Sequence, residues 1–385
     1  PYIVSRIKDR NPNIKVIIGG GKANEYVTES SVDNVFIGYS ENQIKDYLDS
    51  LTKKGPRRLF NRVIDHDIKG EIGEFDIRTS ITDYVETDCL MSEELLTIEF
   101  GRGCIFKCAF CSMAHRGMDT RDFIKYKETI YKELMDNWTK WGVYKYVIID
   151  DTFNDHTEKL IAINEVIQSL PFKPVFNWAY CRIDLISRDP SQAQLIKDIG
   201  VKEVFYGLET WNDQTAKAIK KGGPKSKKVE GMRIAKECWG DEVRITSGMV
   251  IGLPHETIES VQESVDWYVT EGHRYLDDLK YVVLTIRAND ESLKHQFLSD
   301  IETDPEGWGY LFDDPINEPF NWRKPGTNLA SRDQCNEIMF EANKQVKPFY
   351  NQRKRGRWMN LYATYDSNYE NKTPAELFLN HVKTK

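Results

Sequence analysis

Short apolar runs alternate with longer amphipathic stretches from residue 95 to residue 290. The runs are rich in β-branched residues and predict strands at Leu95–Phe100, Tyr144–Asp150, Val175–Arg182, Glu203–Glu209, Val243–Ile251 and Leu279–Ile286. The stretches between them have apolar residues at helical spacing and predict helices at Lys127–Trp141, Thr157–Leu170, Pro190–Gly200, Lys225–Cys238 and Thr257–Glu271. Six strand–helix units in succession predict an α/β fold, a parallel and partial (β/α)6 barrel over 95–290.

The chain on either side of this barrel has weaker patterns. Apolar runs at Ile14–Ile18 and Val32–Gly38, followed by a helical pattern at Glu41–Lys54, predict part of a Rossmann-like α/β domain over residues 1–56. Residues 57–94 have mixed charge and weak periodicity, which predicts a linker. Residues 291–385 are rich in Trp, Tyr and Asn and predict an extension with one helix at Ser331–Lys347.

The composition limits the classes of function. Apolar residues make up 40% of the 385 residues, which is enough for a large core. A net charge of −7 argues against a dedicated nucleic-acid binder, which usually has a basic surplus. The chain has no apolar run long enough to span a membrane, and its first residues are too polar for a signal peptide. We therefore expect no membrane association and a cytoplasmic location.

Three of the seven cysteines lie on one loop directly after the first barrel strand. Cys104, Cys108 and Cys111 have the spacing C-x3-C-x2-C, while the other four are scattered and are expected to be buried apolar residues. A clustered, odd set predicts reduced, metal-binding thiols rather than disulfides. A structural zinc with His115 as fourth ligand is one alternative. The other is an iron–sulfur cluster with one iron left open.

The polar residues that follow the other barrel strands are expected on the same rim. Active sites of α/β barrels lie at the carboxyl ends of the strands. The residues at those ends are the pair Asp150-Asp151, Arg182, Glu209, Gly248–Pro254 and Thr285–Arg287. The sequence therefore predicts one site around the cysteine loop.

The cysteine loop resembles the signature of the radical S-adenosylmethionine superfamily, C-x3-C-x-aromatic-C, at Cys104, Cys108, Phe110 and Cys111. The preceding Arg102 and Gly103 resemble the branch that includes cobalamin-domain enzymes and methylthiotransferases. Gly19–Gly21 and Gly38–Glu41 resemble turns of a cobalamin-binding domain, here truncated. The D-x-H-x-x-G motif of such domains is absent, and His66 does not fit its spacing. The resemblance to a cobalamin-binding domain is therefore partial.

The resemblance implies two cofactors, a [4Fe–4S] cluster on the three cysteines and S-adenosylmethionine at its open iron, with cobalamin as a third candidate. It implies reductive cleavage of S-adenosylmethionine to a 5′-deoxyadenosyl radical that abstracts hydrogen from a substrate, with electrons from a flavodoxin or ferredoxin. It also implies that the C-terminal extension closes the barrel. The implied contacts with S-adenosylmethionine are Phe110 and Ile251 to adenine, Asp150 or Asp151 to the amino group, Arg182 to the carboxylate, Glu209 to the ribose, and close approach at Gly252.

Several alternatives remain at this point. Arg182 could instead form a rim salt bridge to Asp151 or Asp184, and Asp151 could cap the next helix. Methylation, rearrangement and oxidation are all compatible with hydrogen abstraction. A methylthiotransferase-like activity is an alternative, weakened by the lack of a second cysteine set. A zinc-stabilised, non-catalytic binding protein is the alternative from another class.

Overall fold

The N-terminal part of the computed structural model contains a parallel sheet of three strands. The structure describes residues 2–20, 23–26, 30–37, 40–51, 63–65, 76–92, 94–112, 119–288 and 298–351. The N-terminal elements are α1 (Tyr2–Arg10), β1 (Ile17–Gly20), β2 (Asn34–Ile37), α2 (Glu41–Leu51) and β3 (Val63–Asp65). β2 lies in the centre and is fully buried, because β1 and β3 pair with its two edges.

The third strand of this sheet differs from the sequence-based expectation. β3 lies within residues 57–94, the stretch that we expected to be only a linker, and it pairs with Val35–Ile37. The linker prediction missed β3 because its apolar run is too short to give a period. The N-terminal sheet therefore extends beyond residue 56.

Six parallel strands in sequential order form the main sheet, which confirms the predicted α/β fold. The strands are β4 (Leu95–Ile98), β5 (Lys145–Ile148), β6 (Val175–Cys181), β7 (Glu203–Glu209), β8 (Arg244–Ile251) and β9 (Asp278–Val283). The helices between them are α3 (Lys127–Trp141), α4 (Thr157–Ser169), α5 (Ile183–Arg188), α6 (Ser191–Ile199), α7 (Asp213–Ala218), α8 (Lys225–Trp239) and α9 (Ile258–Thr270). This is the strand–helix order of a partial (β/α)6 barrel.

Aromatic side chains fill the core beside the first strands. Phe100, Phe153 and Phe176 are fully buried, and the rings of Phe100 and Phe176 meet edge to face with centroids 5.6 Å apart. Phe100 immediately precedes the cysteine loop, and Phe153 follows β5. Because large buried rings hold the backbone on which they sit, this packing positions the loops that carry the polar rim residues.

The C-terminal part of the described chain packs against the last two barrel strands. It contains α10 (Asp300–Thr303), the antiparallel pair β10 (Leu311–Phe312) and β11 (Trp322–Arg323), and α11 (Arg332–Val346). The indole of Trp322 donates to the Leu284 carbonyl at 3.0 Å, and the Tyr310 hydroxyl donates to the Gly252 carbonyl at 2.7 Å. Residues 352–385 of the predicted extension lie outside the described residues.

Side-chain caps begin two of these helices where the sequence predicts helix starts. The Thr257 hydroxyl accepts from the Ser260 amide at 3.2 Å ahead of α9. The Ser331 hydroxyl accepts from the Gln334 amide at 3.2 Å ahead of α11. Each hydroxyl satisfies an amide that has no partner within its helix.

Candidate functional site

The cysteine loop is fastened to the barrel by backbone hydrogen bonds. The Ala109 amide donates to the Ile219 carbonyl at 2.9 Å, and the Ile301 amide donates to the Ala109 carbonyl at 3.0 Å. The loop carries Cys104, Cys108 and Cys111 as free thiols. The end of α7 and the start of α10, which are far from the loop in sequence, thus hold it in place.

One pocket contains all three thiols. It is lined by residues in or after β4, β5, β6 and β7 and by one residue after α7: Cys104, Phe106, Cys108, Phe110, Cys111, Asp151, Thr152, Tyr180, Cys181, Arg182, Phe205, Gly207, Glu209 and Lys221. Four of the six strand ends therefore meet at this pocket. Within the described chain, no lining residue comes from the ends of β8 or β9. Two of the six strand ends that were expected at this site therefore do not line the pocket.

The donor set of the loop fits an iron–sulfur cluster. Thiolates are the usual ligands of such clusters, and three of them leave one iron open to another ligand. Burial raises the pKa of the Cys104 thiol, and its sulfur lies 3.4 Å from the Thr152 hydroxyl. Among the described residues, no group of three or more His, Cys, Asp and Glu is close enough to hold a single metal ion. His115 of the zinc alternative lies outside them.

The two adjacent aspartates after β5 have different surroundings. Asp150 is only 1% exposed, accepts the Phe100 amide at 2.8 Å and lies 3.3 Å from Lys159 Nζ. Burial raises the pKa of Asp150 to about 6 despite this cation. Asp151 lines the pocket, while α4 is preceded by His156 and not by Asp151. Asp150 therefore fixes the backbone ahead of the cysteine loop, and Asp151 is the aspartate that faces the site.

A buried network connects Asp150 to the residues beyond it. Lys159 Nζ lies 2.7 Å from Asp155 Oδ1, closer than to Asp150, and donates to the Thr152 carbonyl at 2.8 Å. Burial lowers the pKa of Lys159, but the two aspartates outweigh it and the pKa is raised overall. Lys159 thus pairs with two buried carboxylates and also binds the backbone of Thr152, whose hydroxyl contacts Cys104.

Glu209 and Lys221 present opposite charges to the pocket. The Lys221 Nζ lies 3.2 Å from Glu209 Oε1, and both side chains are largely buried. Glu209 ends β7 beside a register shift and has a φ of 64°, an uncommon backbone conformation for a residue with a side chain. Such conformations cluster at functional sites, where surrounding packing maintains them.

Aromatic side chains line two parts of the pocket. Phe110 is half-buried beside the last two cysteines, with its ring centroid 6.0 Å from Lys221 Nζ. On β6 and β7, the rings of Tyr180 and Phe205 meet at 85° with centroids 5.6 Å apart. Tyr180 remains 42% exposed although it lies within a strand of the barrel. The Tyr180 side chain is therefore partly accessible to solvent at the pocket.

Arg182 lies at the pocket edge with its guanidinium already engaged. Its Nη2 lies 2.9 Å from Asp184 Oδ2, which is the rim salt bridge that the sequence left as an alternative. Its Nη1 also lies 3.7 Å from the sulfur of Cys108. The predicted contact with the carboxylate of S-adenosylmethionine stays a prediction.

The structure places Ile251 and Gly252 away from this pocket. Ile251 is 1% exposed, and a Cβ added at Gly252 would lie 2.6 Å from Cη2 of Trp322. Gly252 has a φ of +96°, so its backbone conformation favours glycine, and the Trp322 ring leaves no room for a side chain. Trp322 approaches the backbone closely where the glycine permits it. The predicted contact of Ile251 with adenine and the predicted close approach of the cofactor at Gly252 stay predictions.

Sequence reasoning missed several lining residues, including Lys221, Thr152, Tyr180 and Phe205. The signal for Lys221 was the glycine pair Gly222-Gly223, which follows it and turns the chain towards Arg182 and Asp184. Tyr180 and Phe205 alternate with buried residues on their strands, so their barrel-facing register was readable.

The cysteine loop also contacts the N-terminal part of the chain. Arg102 donates to both carboxylate oxygens of Glu99 at 2.9 Å and to Glu41 Oε1 at 2.7 Å. Glu41 is the first residue of α2. Because Arg102 precedes Cys104 by two residues, this ion pair brings the start of α2 next to the cysteine loop.

Comparisons with known proteins agree with the geometry. Residues 98–268 match the family model of the radical SAM superfamily. A protein of Methanocaldococcus jannaschii, named provisionally as a methylthiotransferase, is 27% identical over 172 residues, covering 42% of this chain and 36% of the relative. An uncharacterized methyltransferase of Pyrococcus horikoshii is 25% identical over 287 residues, covering 69% of this chain and 60% of the relative. The chain thus spans less than two thirds of both relatives.

A solved structure shares the fold. TsrM from Kitasatospora setae, a radical S-adenosylmethionine methyltransferase with cobalamin and a [4Fe–4S] cluster bound, superposes with a TM-score of 0.54. The two chains are 16% identical, and the match covers 74% of this chain and 59% of TsrM.

No helix in the described residues is both long and apolar enough to cross a membrane.

Proposed function

The chain belongs to the radical S-adenosylmethionine superfamily, and we propose that it cleaves S-adenosylmethionine reductively and abstracts hydrogen from a substrate in order to methylate it. When bound, the [4Fe–4S] cluster supplies an electron to the sulfonium of S-adenosylmethionine. The observation that carries the proposal is that three free thiols share one pocket with an oppositely charged pair.

The three cysteines are the residues that would hold the cluster. They lie on one loop, so the strand ends beside it remain available for a second ligand at the open iron. The hydrogen bonds at Ala109 fix the loop to α7 and α10 segments before any cluster binds. The protein's own task is to hold the ligands and to exclude competing reactions.

Residues on the opposite wall are suited to S-adenosylmethionine. Lys221 can pair with the methionine carboxylate, and Asp151 and Glu209 can accept hydrogen bonds from the amino group and the ribose hydroxyls. The Lys221–Glu209 pair holds each side chain in place before the ligand arrives. Phe110 offers an apolar face next to these charges.

Methyl transfer is supported by the names of two similar proteins, the P. horikoshii methyltransferase and TsrM. Cobalamin is part of the TsrM structure, but this chain lacks the D-x-H-x-x-G motif. The molecule of S-adenosylmethionine that is cleaved reductively leaves as methionine and 5′-deoxyadenosine. We therefore propose that the methyl group comes from a second molecule, which leaves as S-adenosylhomocysteine, with one further electron from the reductant. We propose a cytoplasmic enzyme that receives its electrons from a flavodoxin or ferredoxin, as the cluster needs a one-electron reductant.

A methylthiotransferase-like activity is the second candidate, supported by the name of the M. jannaschii relative. Outside the loop, the remaining cysteines are Cys89, Cys181, Cys238 and Cys335, and no two of them are neighbours in sequence. Cys181 and Cys335 are buried, with burial raising the pKa of Cys335 to about 12. The described chain therefore offers no second thiol set, which favours methyl transfer.

The test is 5′-deoxyadenosine formation by anaerobically reconstituted protein with dithionite. Wild-type protein should form it, and Cys108→Ala should not, because two thiolates hold the cluster poorly. Cys238→Ala is the matched control, since this thiol is half-buried and remote from the pocket. Cleavage by Cys108→Ala at the wild-type rate would show that the loop is not the site.

A further inference from the structure

We propose that Arg182 is a positioning residue for the cluster, donating a hydrogen bond to the sulfur of Cys108 and thereby raising the reduction potential of the cluster. The proposal rests on the proposed function and assigns Arg182 a role different from contact with S-adenosylmethionine. Its basis is the arrangement of four groups around one guanidinium.

Cys108 has two polar neighbours, and only one of them can bind a thiolate. Its sulfur lies 3.7 Å from the Lys220 carbonyl oxygen and 3.7 Å from Arg182 Nη1. A carbonyl oxygen accepts only, so its contact is lost when the thiol gives up its proton to bind iron. A guanidinium donates only, and its hydrogen bond becomes stronger when the neutral thiol is replaced by an anionic thiolate. Arg182 is therefore matched to the ligated form of Cys108.

The guanidinium is held in this position from three other sides. Its Nε and Nη2 donate to the two carboxylate oxygens of Asp184 at 3.1 and 2.9 Å. Nη2 also donates to the Lys221 carbonyl, and the guanidinium carbon lies 3.8 Å from the ring centroid of Phe106. Phe106 belongs to the cysteine loop itself. A stacked, bidentate arginine is not free to turn towards the centre of the pocket.

The backbone at Arg182 is fixed as firmly as the side chain. The Arg182 amide donates to Asn154 Oδ1 at 2.7 Å, and Asn154 Nδ2 donates back to the Arg182 carbonyl at 2.9 Å. A Cβ at Gly222, whose φ is +74°, would lie 3.2 Å from Arg182 Nη2, so glycine favours the close approach of this segment to the guanidinium. The side chain is 6% exposed. A buried cation fixed beside one cysteine is placed to orient that cysteine and to tune a metal group bound to it.

The consequence concerns the electron that the cluster accepts from its donor. Hydrogen bonds and positive charge at the cluster sulfurs stabilise the reduced cluster, which holds one more negative charge. Removing the Arg182 cation should therefore make the cluster harder to reduce. Lys221 is left as the pocket cation for the carboxylate of S-adenosylmethionine.

The test is the midpoint potential of the reconstituted cluster, followed by electron paramagnetic resonance during titration with dithionite. Arg182→Gln should lower the ratio of reduced to oxidised cluster about tenfold at a fixed potential, which is about 59 mV for one electron. Arg182→Lys keeps a charge and should shift less in the same direction. Arg244→Gln is the matched control, because Arg244 is equally buried and paired with Asp278 but begins β8 at the opposite end of the strand.

An unchanged potential in Arg182→Gln with intact iron and sulfide content would overturn the inference. If Arg182→Gln loses its cluster, the midpoint potential of Arg182→Lys decides. A potential more negative than that of wild type would support the inference, and an unchanged potential would contradict it. Loss of the cluster from both variants but not from Arg244→Gln would mean that Arg182 only holds the loop, which also overturns the inference. A wild-type protein without a four-iron cluster would refute the proposed function itself.

Discussion

Replacing Gly252 by alanine tests how the C-terminal part of the chain covers the end of β8. The added Cβ would lie 2.6 Å from Cη2 and 2.9 Å from Cζ2 of Trp322, which is fully buried and hydrogen-bonded to Leu284. Trp322 cannot retreat without losing that bond and its edge-to-face contact with Tyr310.

Two costs add up in Gly252→Ala. A non-glycine residue at a φ of +96° costs about 1–3 kcal/mol in backbone strain. Overpacking against the Trp322 ring costs about 1–3 kcal/mol more. We expect the free energy of unfolding to fall by roughly 2–6 kcal/mol. Gly326→Ala is the control, since Gly326 has a φ of +84° but no atom within 4 Å of an added Cβ.

The assay is urea unfolding of the three proteins, followed by circular dichroism and by tryptophan fluorescence. Gly326→Ala should lose only the backbone part, and Gly252→Ala should lose clearly more. Equal losses in the two variants would refute the packing of Trp322 on Gly252.

Three further changes test the charges in and around the pocket. Lys221→Met should weaken binding of S-adenosylmethionine about tenfold to a hundredfold, because a charge-assisted hydrogen bond is lost. The affinity is measured by calorimetry, and Lys220→Met, a change at the exposed neighbouring lysine, should bind normally. Lys159→Met should lower the free energy of unfolding in urea by about 3–5 kcal/mol because two buried carboxylates lose their cation; a loss below about 1 kcal/mol would contradict the network. Burial raises the pKa of Glu256 to about 8 in the folded protein, so the fold favours the protonated carboxyl group. The stabilisation that protonation gives is complete below the pKa of Glu256 in the unfolded chain and is lost as the pH rises through about 8. Glu256→Gln should therefore gain stability relative to wild type between pH 5 and pH 9, and a constant difference across this range would contradict the raised pKa.

The barrel was predictable because its periods are long and clean. Each strand prediction overlaps the observed strand, and the helix Lys127–Trp141 has the predicted bounds. Strand ends were less accurate, as in Leu95–Ile98, where the polar Glu99 already bonds Arg102. The prediction missed the short β3 because three residues give no periodicity; the strand is identified by its pairing with β2.

The site was predictable only as far as local sequence determines it. The cysteine loop and the rim position of Glu209 follow from spacing and strand direction. The choice between Asp150 and Asp151 depends on Lys159, which reaches Asp150 from α4. The coverage of Gly252 depends on Trp322, which lies seventy residues further along the chain. Tertiary contacts of this kind leave no local pattern in the sequence.

The central claim is that three cysteines hold a cluster whose fourth iron accepts S-adenosylmethionine. The most direct measurement is the electron paramagnetic resonance spectrum of the reduced, reconstituted protein with and without S-adenosylmethionine, together with its metal content. We predict about four irons and four sulfides per chain and a spectrum that changes on addition of the ligand. One zinc per chain, or a cluster spectrum that S-adenosylmethionine leaves unchanged, would contradict the claim.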